Sequence, residues 1–256
     1  MREMTTIIRR PFVLSGGGSR GFAHLGVLKA FSENNIYPEV IAATSAGSIA
    51  AAFICDGYTV DEIREIFSKT KLGLSMQWRN WRSGLLSLKK VEDVLHQTLR
   101  SKDFESLRLP LHITATNFID GEQKIFSEGP LVPAILAASS VPMLFPPVTI
   151  NGIEYVDGGL SSNLPVEPLL NQYKDIIGVH VNPLTPYNPG SGFLSNLERT
   201  LHLAIRERVV KNKSLCRYFV EPIELGRFGM FEFGKLEAIY ETGLDYTRAL
   251  LASEPF

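Results

Sequence analysis

The chain has 256 residues, 45% of them hydrophobic and 21% charged, and a formal net charge of −1. This is the composition of a globular protein long enough for one large domain, and it has no positive field that would attract nucleic acid. The two cysteines, Cys55 and Cys216, match neither a disulfide framework nor a metal-ligand pattern, so we expect no metal and a reducing compartment.

Strand-like apolar runs alternate with runs at helical spacing along most of the chain. We predict strands at 12–15, 40–44, 111–118, 124–126 and 176–181, and helices at 22–33, 46–56, 59–69, 131–138, 193–211 and 235–251. This alternation predicts an α/β fold with three α/β/α layers and a mostly parallel central sheet. No linker divides the chain, so we predict a single domain over residues 1–256 that ends in helices within 193–252.

The first residues do not resemble a secretory leader. Their apolar stretches are short and are broken by Arg9, Arg10 and Pro11. The longest apolar run, residues 46–55, is shorter than the roughly 20 residues that a membrane-spanning helix needs. We therefore expect a cytoplasmic protein.

The stretch SGGGSRG, residues 15–21, lies between a predicted strand and a predicted helix. Gly16, Gly18 and Gly21 match the G-x-G-x-x-G dinucleotide pattern, but no acidic residue ends the second strand, where that pattern requires one. What remains is a turn of bare backbone N–H groups at a helix N-terminus, which can bind a permanent or a transient anion. A purely structural tight turn is the alternative.

A serine stands at a second strand-to-helix corner, in EVIAATSAG, residues 39–47. In a nucleophile elbow the serine Oγ is exposed above the sheet, and the next N–H, here that of Ala46, points into the same space. The G-x-S-x-G pattern is met at Gly47 and missed at Ala43, whose extra methyl group we expect a small shift to accommodate. The alternative is that Ser45 only caps the following helix.

A nucleophilic serine needs a base, and the stretch YVDGG places Asp157 at a glycine-flanked turn. The alternative for Asp157 is an ordinary Asp-Gly hairpin turn. Among the histidines, His180 is the candidate for a triad, because Ser45, Asp157 and His180 follow the chain order of α/β-hydrolases. His180 lies within the apolar run IGVHV, which favours packing against a helix layer over a place in a cleft.

Taken in order, the motifs SGGGSRG, ATSAG and DGG resemble those of the patatin-like phospholipase family. The helix FAHLGVLKAF and the segment AASSVPMLFP, which begins at Ala137, resemble the stretches of the family that follow the glycine loop and precede the DGG strand. The resemblance covers roughly residues 10–182, and Ala43 is its one departure in the elbow.

This resemblance implies a serine acyl hydrolase of the phospholipase A or lysophospholipase type, with no cofactor. It implies a Ser45–Asp157 dyad without a histidine, in which Asp157 takes the Ser45 proton. The alternatives are an esterase with a Ser45–Asp157–His180 triad and a nucleotide-binding protein. The resemblance places the oxyanion hole at Gly16, Gly17, Gly18 and Ser19. It places substrate contacts at Arg20 and Ala46, and the alternative for Arg20 is that it only braces the loop.

Residues 72–90, LGLSMQWRNWRSGLLSLKK, contain both tryptophans of the chain. Trp78 and Trp81 alternate with arginines, a mixture that suits a lipid–water interface, and this predicts peripheral membrane contact there. Packing on the core with solvated charges is the alternative. A second aromatic-rich stretch, GRFGMFEFG, contains Phe228, Met230, Phe231 and Phe233. These side chains could line an acyl channel, and packing in the core is the alternative.

Overall fold

A computed structural model describes residues 6–70, 87–186 and 192–253 of the chain. The predicted membrane-contact residues Trp78 and Trp81 lie outside the described residues. No helix in the described part is long and apolar enough to cross a membrane.

The described strands form one sheet. They are β1 (Ile8–Leu14), β2 (Ile36–Thr44), β3 (Leu111–Asn117), β4 (Gln123–Phe126), β5 (Val148–Ile150), β6 (Ile153–Asp157), β7 (Ile177–Val179) and β8 (Tyr218–Val220). Their order is β5-β6-β3-β2-β1-β7-β8, and β4 also pairs with β3. Strands β1, β2, β3, β7 and β8 pair in parallel, whereas β4, β5 and β6 pair antiparallel. The prediction of a mostly parallel sheet is thus confirmed.

Helices cover both faces of this sheet. They are α1 (Ala23–Glu33), α2 (Ser45–Cys55), α3 (Val60–Thr70), α4 (Lys89–Thr98), α5 (Leu131–Ala138), α6 (Gly159–Ser162), α7 (Phe193–Lys213) and α8 (Leu236–Ser253). Side chains alternate between two cores along the central strands: Phe12 and Leu14 of β1 belong to the larger core, and Val13 between them belongs to the smaller one. The sheet is therefore buried on both faces, as a three-layer fold requires.

Strands β2 and β6 meet end to end. Strand β4 pairs with Ile113–Thr116 of β3. The stretches of β3 that pair with β2 and with β6, residues 111–114 and 115–117, both overlap this range, so β2 and β6 share the other edge of β3. Thr44 at the end of β2 is opposite Thr114, and Asp157 at the end of β6 is opposite the next residue, Ala115. The last residues of these two oppositely directed strands are therefore neighbours.

Local signals predicted several elements closely. The helix predicted from residue 59 has the expected reciprocal cap: Glu62 accepts a hydrogen bond from the Thr59 N–H at 2.7 Å, and its own N–H donates to Thr59 Oγ1 at 3.2 Å. The turn at Asp120-Gly121 leads into β4 as predicted. Strand β2 is longer than predicted and begins at Ile36, because pairing with β1 extends it through Pro38.

Candidate active site

Ser45 occupies a strained corner between β2 and α2. Its φ is 49°, in the left-handed region that few residues other than glycine adopt, and its side chain is buried. A methyl group at Gly47 would come within 2.5 Å of the Ser15 carbonyl oxygen, so this position requires glycine. Ala43 is fully buried, and its side chain lies in the larger core. The corner therefore keeps the elbow conformation with alanine at position 43.

The side chain of Ser45 points at Asp157. Ser45 Oγ donates a hydrogen bond to Asp157 Oδ2 at 2.5 Å, and the Gly159 N–H donates to Asp157 Oδ1 at 2.7 Å. Burial raises the pKa of the Asp157 carboxyl group to about 6, while the two hydrogen bonds pull the pKa down. Asp157 is thus a carboxylate at neutral pH, with a proton affinity far higher than that of a solvated aspartate.

The glycine loop lies against the same serine, since a methyl group at Gly16 would come within 3.0 Å of Ser45 Cβ. The Gly16 N–H donates to the Asn163 carbonyl at 3.2 Å, and the Ser19 N–H donates to the Met230 carbonyl at 2.8 Å. The N–H groups of Gly17 and Gly18 have no acceptor among the described residues. Of the four predicted oxyanion-hole residues, these two therefore offer free donors.

Gly18 needs to be glycine on two counts. Its φ is +55°, and a methyl group there would lie 2.3 Å from the Met230 carbonyl oxygen. This close approach of two backbone segments fixes the loop beside the elbow. It also places residues near the end of the chain against the predicted oxyanion hole.

Two cavities meet at Ser45, and both include Gly18 in their walls. The larger encloses about 1120 Å³, open solvent at its mouth included, and has mainly apolar walls. One face of α2 forms a wall of this cavity through Ala46, Ile49, Ala50 and Phe53. Because α-helical residues rise about 1.5 Å each, this wall extends roughly 12 Å from Ser45 to Phe53.

The smaller cavity measures about 460 Å³, again with open solvent at its mouth included. Asp157 and Asn163 are among its lining residues, together with Gly17 and Gly18 of the glycine loop. Phe231 borders both cavities. The site therefore has an apolar side and a polar side, with Ser45 at the junction.

The predicted substrate-contact residues are separated by the fold. Ala46 lines the apolar cavity directly after the serine. Arg20 lines neither cavity: its buried guanidinium donates to the carbonyl of Phe228 and to the Glu198 carboxylate, the latter at 2.6 Å. In the stretch GRFGMFEFG, Phe231 and Phe233 line the apolar cavity and Phe228 packs into the larger core.

His180 is not part of this arrangement. Its Nδ1 lies 2.8 Å from Glu221 Oε1, and it lines another cavity that contains neither Ser45 nor Asp157. The alternative of a Ser45–Asp157–His180 triad is thus not assembled in the structure. His24 is fully buried with Nε2 2.8 Å from the Ser15 carbonyl oxygen, and burial lowers its pKa to about 4, so it is a neutral structural histidine.

Three residues in the neighbourhood of the site carried no signal in the sequence. Asn182 donates to the Gly16 carbonyl at 2.9 Å, Asn163 accepts from the Gly16 N–H, and Glu198 binds Arg20. Each contact joins segments far apart in the chain, and each residue type is common on protein surfaces. A single sequence has no feature that would single them out.

A scan against protein families matches the description Patatin-like phospholipase over residues 12–170. Lysophospholipase NTE1 of Saccharomyces cerevisiae is 29% identical over 93% of this chain, and Patatin-like phospholipase domain-containing protein 6 of Homo sapiens is 25% identical over 93%. The chain spans only 16% and 20% of the lengths of these two relatives. VipD from Legionella pneumophila has a similar fold, with a TM-score of 0.57, 15% identity, and coverage of 95% of this chain and 67% of VipD.

Proposed function

The chain belongs to the patatin-like phospholipase family, and we propose that it is a serine acyl hydrolase that cleaves fatty-acyl esters of lipids. One observation carries the proposal: Ser45 Oγ donates to the Asp157 carboxylate at 2.5 Å, in a cavity also lined by Gly17 and Gly18, whose N–H groups have no acceptor among the described residues. The lysophospholipase names of its relatives support a lipid substrate. Ser45 and Asp157 are the proposed catalytic residues.

In the first half of the reaction, Ser45 Oγ attacks the ester carbonyl carbon and its proton passes to Asp157 Oδ2. The carbonyl oxygen becomes an oxyanion, which the N–H groups of Gly17 and Gly18 stabilise; one such donor typically contributes about 10²–10³ in rate. The tetrahedral intermediate collapses, the bond to the alcohol breaks, and Asp157 returns the proton to the leaving oxygen. The products are an acyl-serine and the freed alcohol.

In the second half, Asp157 takes a proton from water as the water oxygen attacks the acyl-serine. The same N–H groups stabilise the second oxyanion. The bond to Ser45 Oγ then breaks, Oγ regains a proton from Asp157, and a fatty acid is released. A raised pKa suits this double role, because general acid–base catalysis is most efficient when the pKa lies near the working pH.

The two cavities divide the substrate between them. The acyl chain lies in the apolar cavity along Ala46, Ile49 and Phe53, where burial of each CH₂ group contributes about 0.8 kcal/mol. The alcohol part, and later the attacking water, lies in the smaller cavity beside Asp157. Arg20 is then a brace of the glycine loop and not a contact for a lipid phosphate.

Labelling with a fluorophosphonate probe tests the nucleophile. Wild-type protein should label on Ser45 and release fatty acid from lysophosphatidylcholine, and Ser45→Ala should do neither. Wild-type protein that neither labels nor releases fatty acid from lysolipid or diacyl phospholipid would refute the proposed function. A stabilisation of the protein by NAD or ATP in a thermal-shift assay would instead favour the nucleotide-binding alternative.

We also propose peripheral contact with a lipid surface through Trp78 and Trp81, as their sequence context suggests. The described chain resumes at Ser87, which lines the apolar cavity together with Leu88. Replacing both tryptophans with alanine should weaken sedimentation with phosphatidylcholine vesicles and leave hydrolysis of a water-soluble short ester unchanged. Unaltered vesicle binding would refute this contact.

A further inference from the structure

Arg20 is buried at the end of the glycine loop, with only 3% of its side chain exposed. Its Nε and Nη2 donate to the Phe228 carbonyl, its Nη1 donates to Asn182 Oδ1 at 3.3 Å, and its Nη2 also donates to Glu198 Oε1 at 2.6 Å. Glu198 is the one carboxylate that pairs with this guanidinium among the described residues. A buried cation of this kind is stable only while its counter-charge stays in place.

The second carboxylate oxygen of Glu198 reaches a different part of the loop's surroundings. Glu198 Oε2 accepts a hydrogen bond from the Met230 N–H at 3.0 Å. The carbonyl of Met230 in turn accepts from the Ser19 N–H at 2.8 Å, and Ser19 Oγ donates to the Gly229 carbonyl at 3.0 Å. One carboxylate on α7 therefore holds both Arg20 and the peptide unit on which Ser19 rests.

These contacts fix one end of the segment that offers the free amides. Gly16 is held at the other end, because its N–H donates to the Asn163 carbonyl and its carbonyl accepts from Asn182 Nδ2. The Gly17 N–H belongs to the same peptide as the anchored Gly16 carbonyl, and the Gly18 N–H belongs to the peptide whose Gly17 carbonyl accepts from the Arg20 backbone N–H at 3.1 Å. Three glycines in a row have little conformational preference of their own, so the anchors must set the direction of these donors.

We propose that Glu198 is a positioning residue for the oxyanion hole, acting through Arg20 and Met230 to orient the Gly17 and Gly18 amides. This inference rests on the proposed function. Glu198 and Met230 lie beyond residues 12–170, the range that the family model matches. The inference thus makes the C-terminal third of the chain a working part of the active site.

The hydrogen bonds of Glu198 indicate which substitution tests its role most directly. Both oxygens of Glu198 act as acceptors, one for Arg20 and one for the Met230 N–H. Glutamine has nearly the same shape but only one acceptor oxygen, and its NH₂ group would face a donor on one of the two sides. Glu198→Gln therefore breaks one anchor while it keeps the volume of the side chain.

The experiment compares Glu198→Gln with Glu207→Gln, which changes an exposed glutamate on the same helix. For Glu198→Gln we expect kcat to fall about tenfold or more, part of the 10²–10³ that a lost donor costs, with KM within about twofold. A trifluoromethyl ketone, which forms an oxyanion on Ser45, should lose affinity in proportion to kcat. A non-reactive substrate analogue should bind as before, and Glu207→Gln should match wild type.

Two results would overturn the inference. One is a Glu198→Gln protein with unchanged kcat and inhibitor affinity, even if its melting temperature falls, because Glu198 would then only stabilise the fold. The other concerns Arg20→Lys, which cannot form the branched contacts and serves as the test if Glu198→Gln does not fold. An Arg20→Lys protein with unchanged kcat would then overturn the inference. Active wild type with an unaffected variant refutes this inference alone, whereas wild type without Ser45-dependent hydrolysis refutes the proposed function and the inference with it.

Discussion

Ser45 and Asp157 are 112 residues apart in the chain, yet their side-chain oxygens are 2.5 Å apart. The reason is topological: β2 and β6 run in opposite directions along one edge of β3 and end on adjacent residues, Thr114 and Ala115. The sheet itself therefore aligns the two proposed catalytic residues, without a long loop.

Asp157→Asn should abolish hydrolysis and stabilise the fold at pH 7. Because folding raises the pKa of Asp157 from its ordinary value to about 6, its ionisation destabilises the native state as the pH rises between about 4 and 6. Asparagine removes this penalty, so the free energy of unfolding should increase, on the order of 2 kcal/mol at pH 7. Urea unfolding at pH 7 measures it, and Asp245→Asn, at an exposed site, should have no such effect. A less stable Asp157→Asn protein would contradict the assigned pKa.

The pH profile of the reaction should show the same group. Asp157 must be a carboxylate to accept the Ser45 proton, so kcat/KM should fall as the pH drops through about 6. Initial rates on a water-soluble ester between pH 4.5 and 8 measure this limb. The hydrogen bond from Ser45 lowers the pKa of Asp157, so in Ser45→Ala the carboxyl group should titrate at a higher pH by NMR. A limb at the ordinary pH of a solvated aspartate would contradict the prediction.

Ala50→Phe should shorten the acyl chain that the enzyme prefers. Ala50 lies on the cavity wall, one and a half helical turns beyond Ser45, and a ring there would block the path toward Phe53. Hydrolysis of long-chain esters should fall at least tenfold relative to a butyryl ester. The butyryl ester is the internal control, because its chain ends before position 50. Equal losses for all chain lengths would show damage to the fold instead of a blocked channel.

The two small positions of the elbow should tolerate substitution to different degrees. Gly47→Ala places a methyl group 2.5 Å from the Ser15 carbonyl oxygen, so it should greatly reduce both stability and labelling of Ser45. Ala43→Gly restores the G-x-S-x-G pattern but removes a buried methyl group from β2. We expect it to destabilise the fold by about 1 kcal/mol and to change kcat less than threefold. A large gain in kcat would show that Ala43 distorts the corner.

His180→Ala should leave hydrolysis largely intact, because its imidazole contacts Glu221 and not Asp157. Melting temperature and kcat together separate the two roles. Some loss of thermal stability is expected from the broken buried contact, without a matching loss of kcat in folded protein. A fall in kcat comparable to that of Asp157→Asn would restore the triad alternative.

The sequence predicted the corner residues because their signals are local. A glycine run, a serine between small residues and an Asp-Gly-Gly turn each constrain the backbone within a few positions. The meeting of Ser45 with Asp157 could be inferred only from a family resemblance, since it depends on how β6 pairs with β3. A single sequence has no local pattern that indicates which distant strands will pair.

The roles within the glycine loop illustrate what sequence reasoning could not resolve. The N–H groups of Gly16 and Ser19 have partners in the Asn163 and Met230 carbonyls, and Met230 lies more than 200 residues further along the chain. Every residue type has a backbone carbonyl, so the identity of a residue does not indicate which carbonyl will accept these hydrogen bonds. Whether Arg20 contacts a lipid phosphate or braces the loop also stayed open in the sequence, because its partner Glu198 lies 178 residues further along the chain.

Because β7 pairs in parallel with β1, a truncated form of this chain must extend at least through β7 to keep β1 covered. Strand β1 leads into the glycine loop, and its edge is covered by residues 177–179, beyond the family-matched range. A protein cut at residue 170 would leave that edge open, with unpaired N–H and C=O groups that invite association with other chains. It would also lose Val179, whose carbonyl accepts the Ser15 N–H at the start of the loop. A truncated form of this kind would aggregate before its chemistry could be measured.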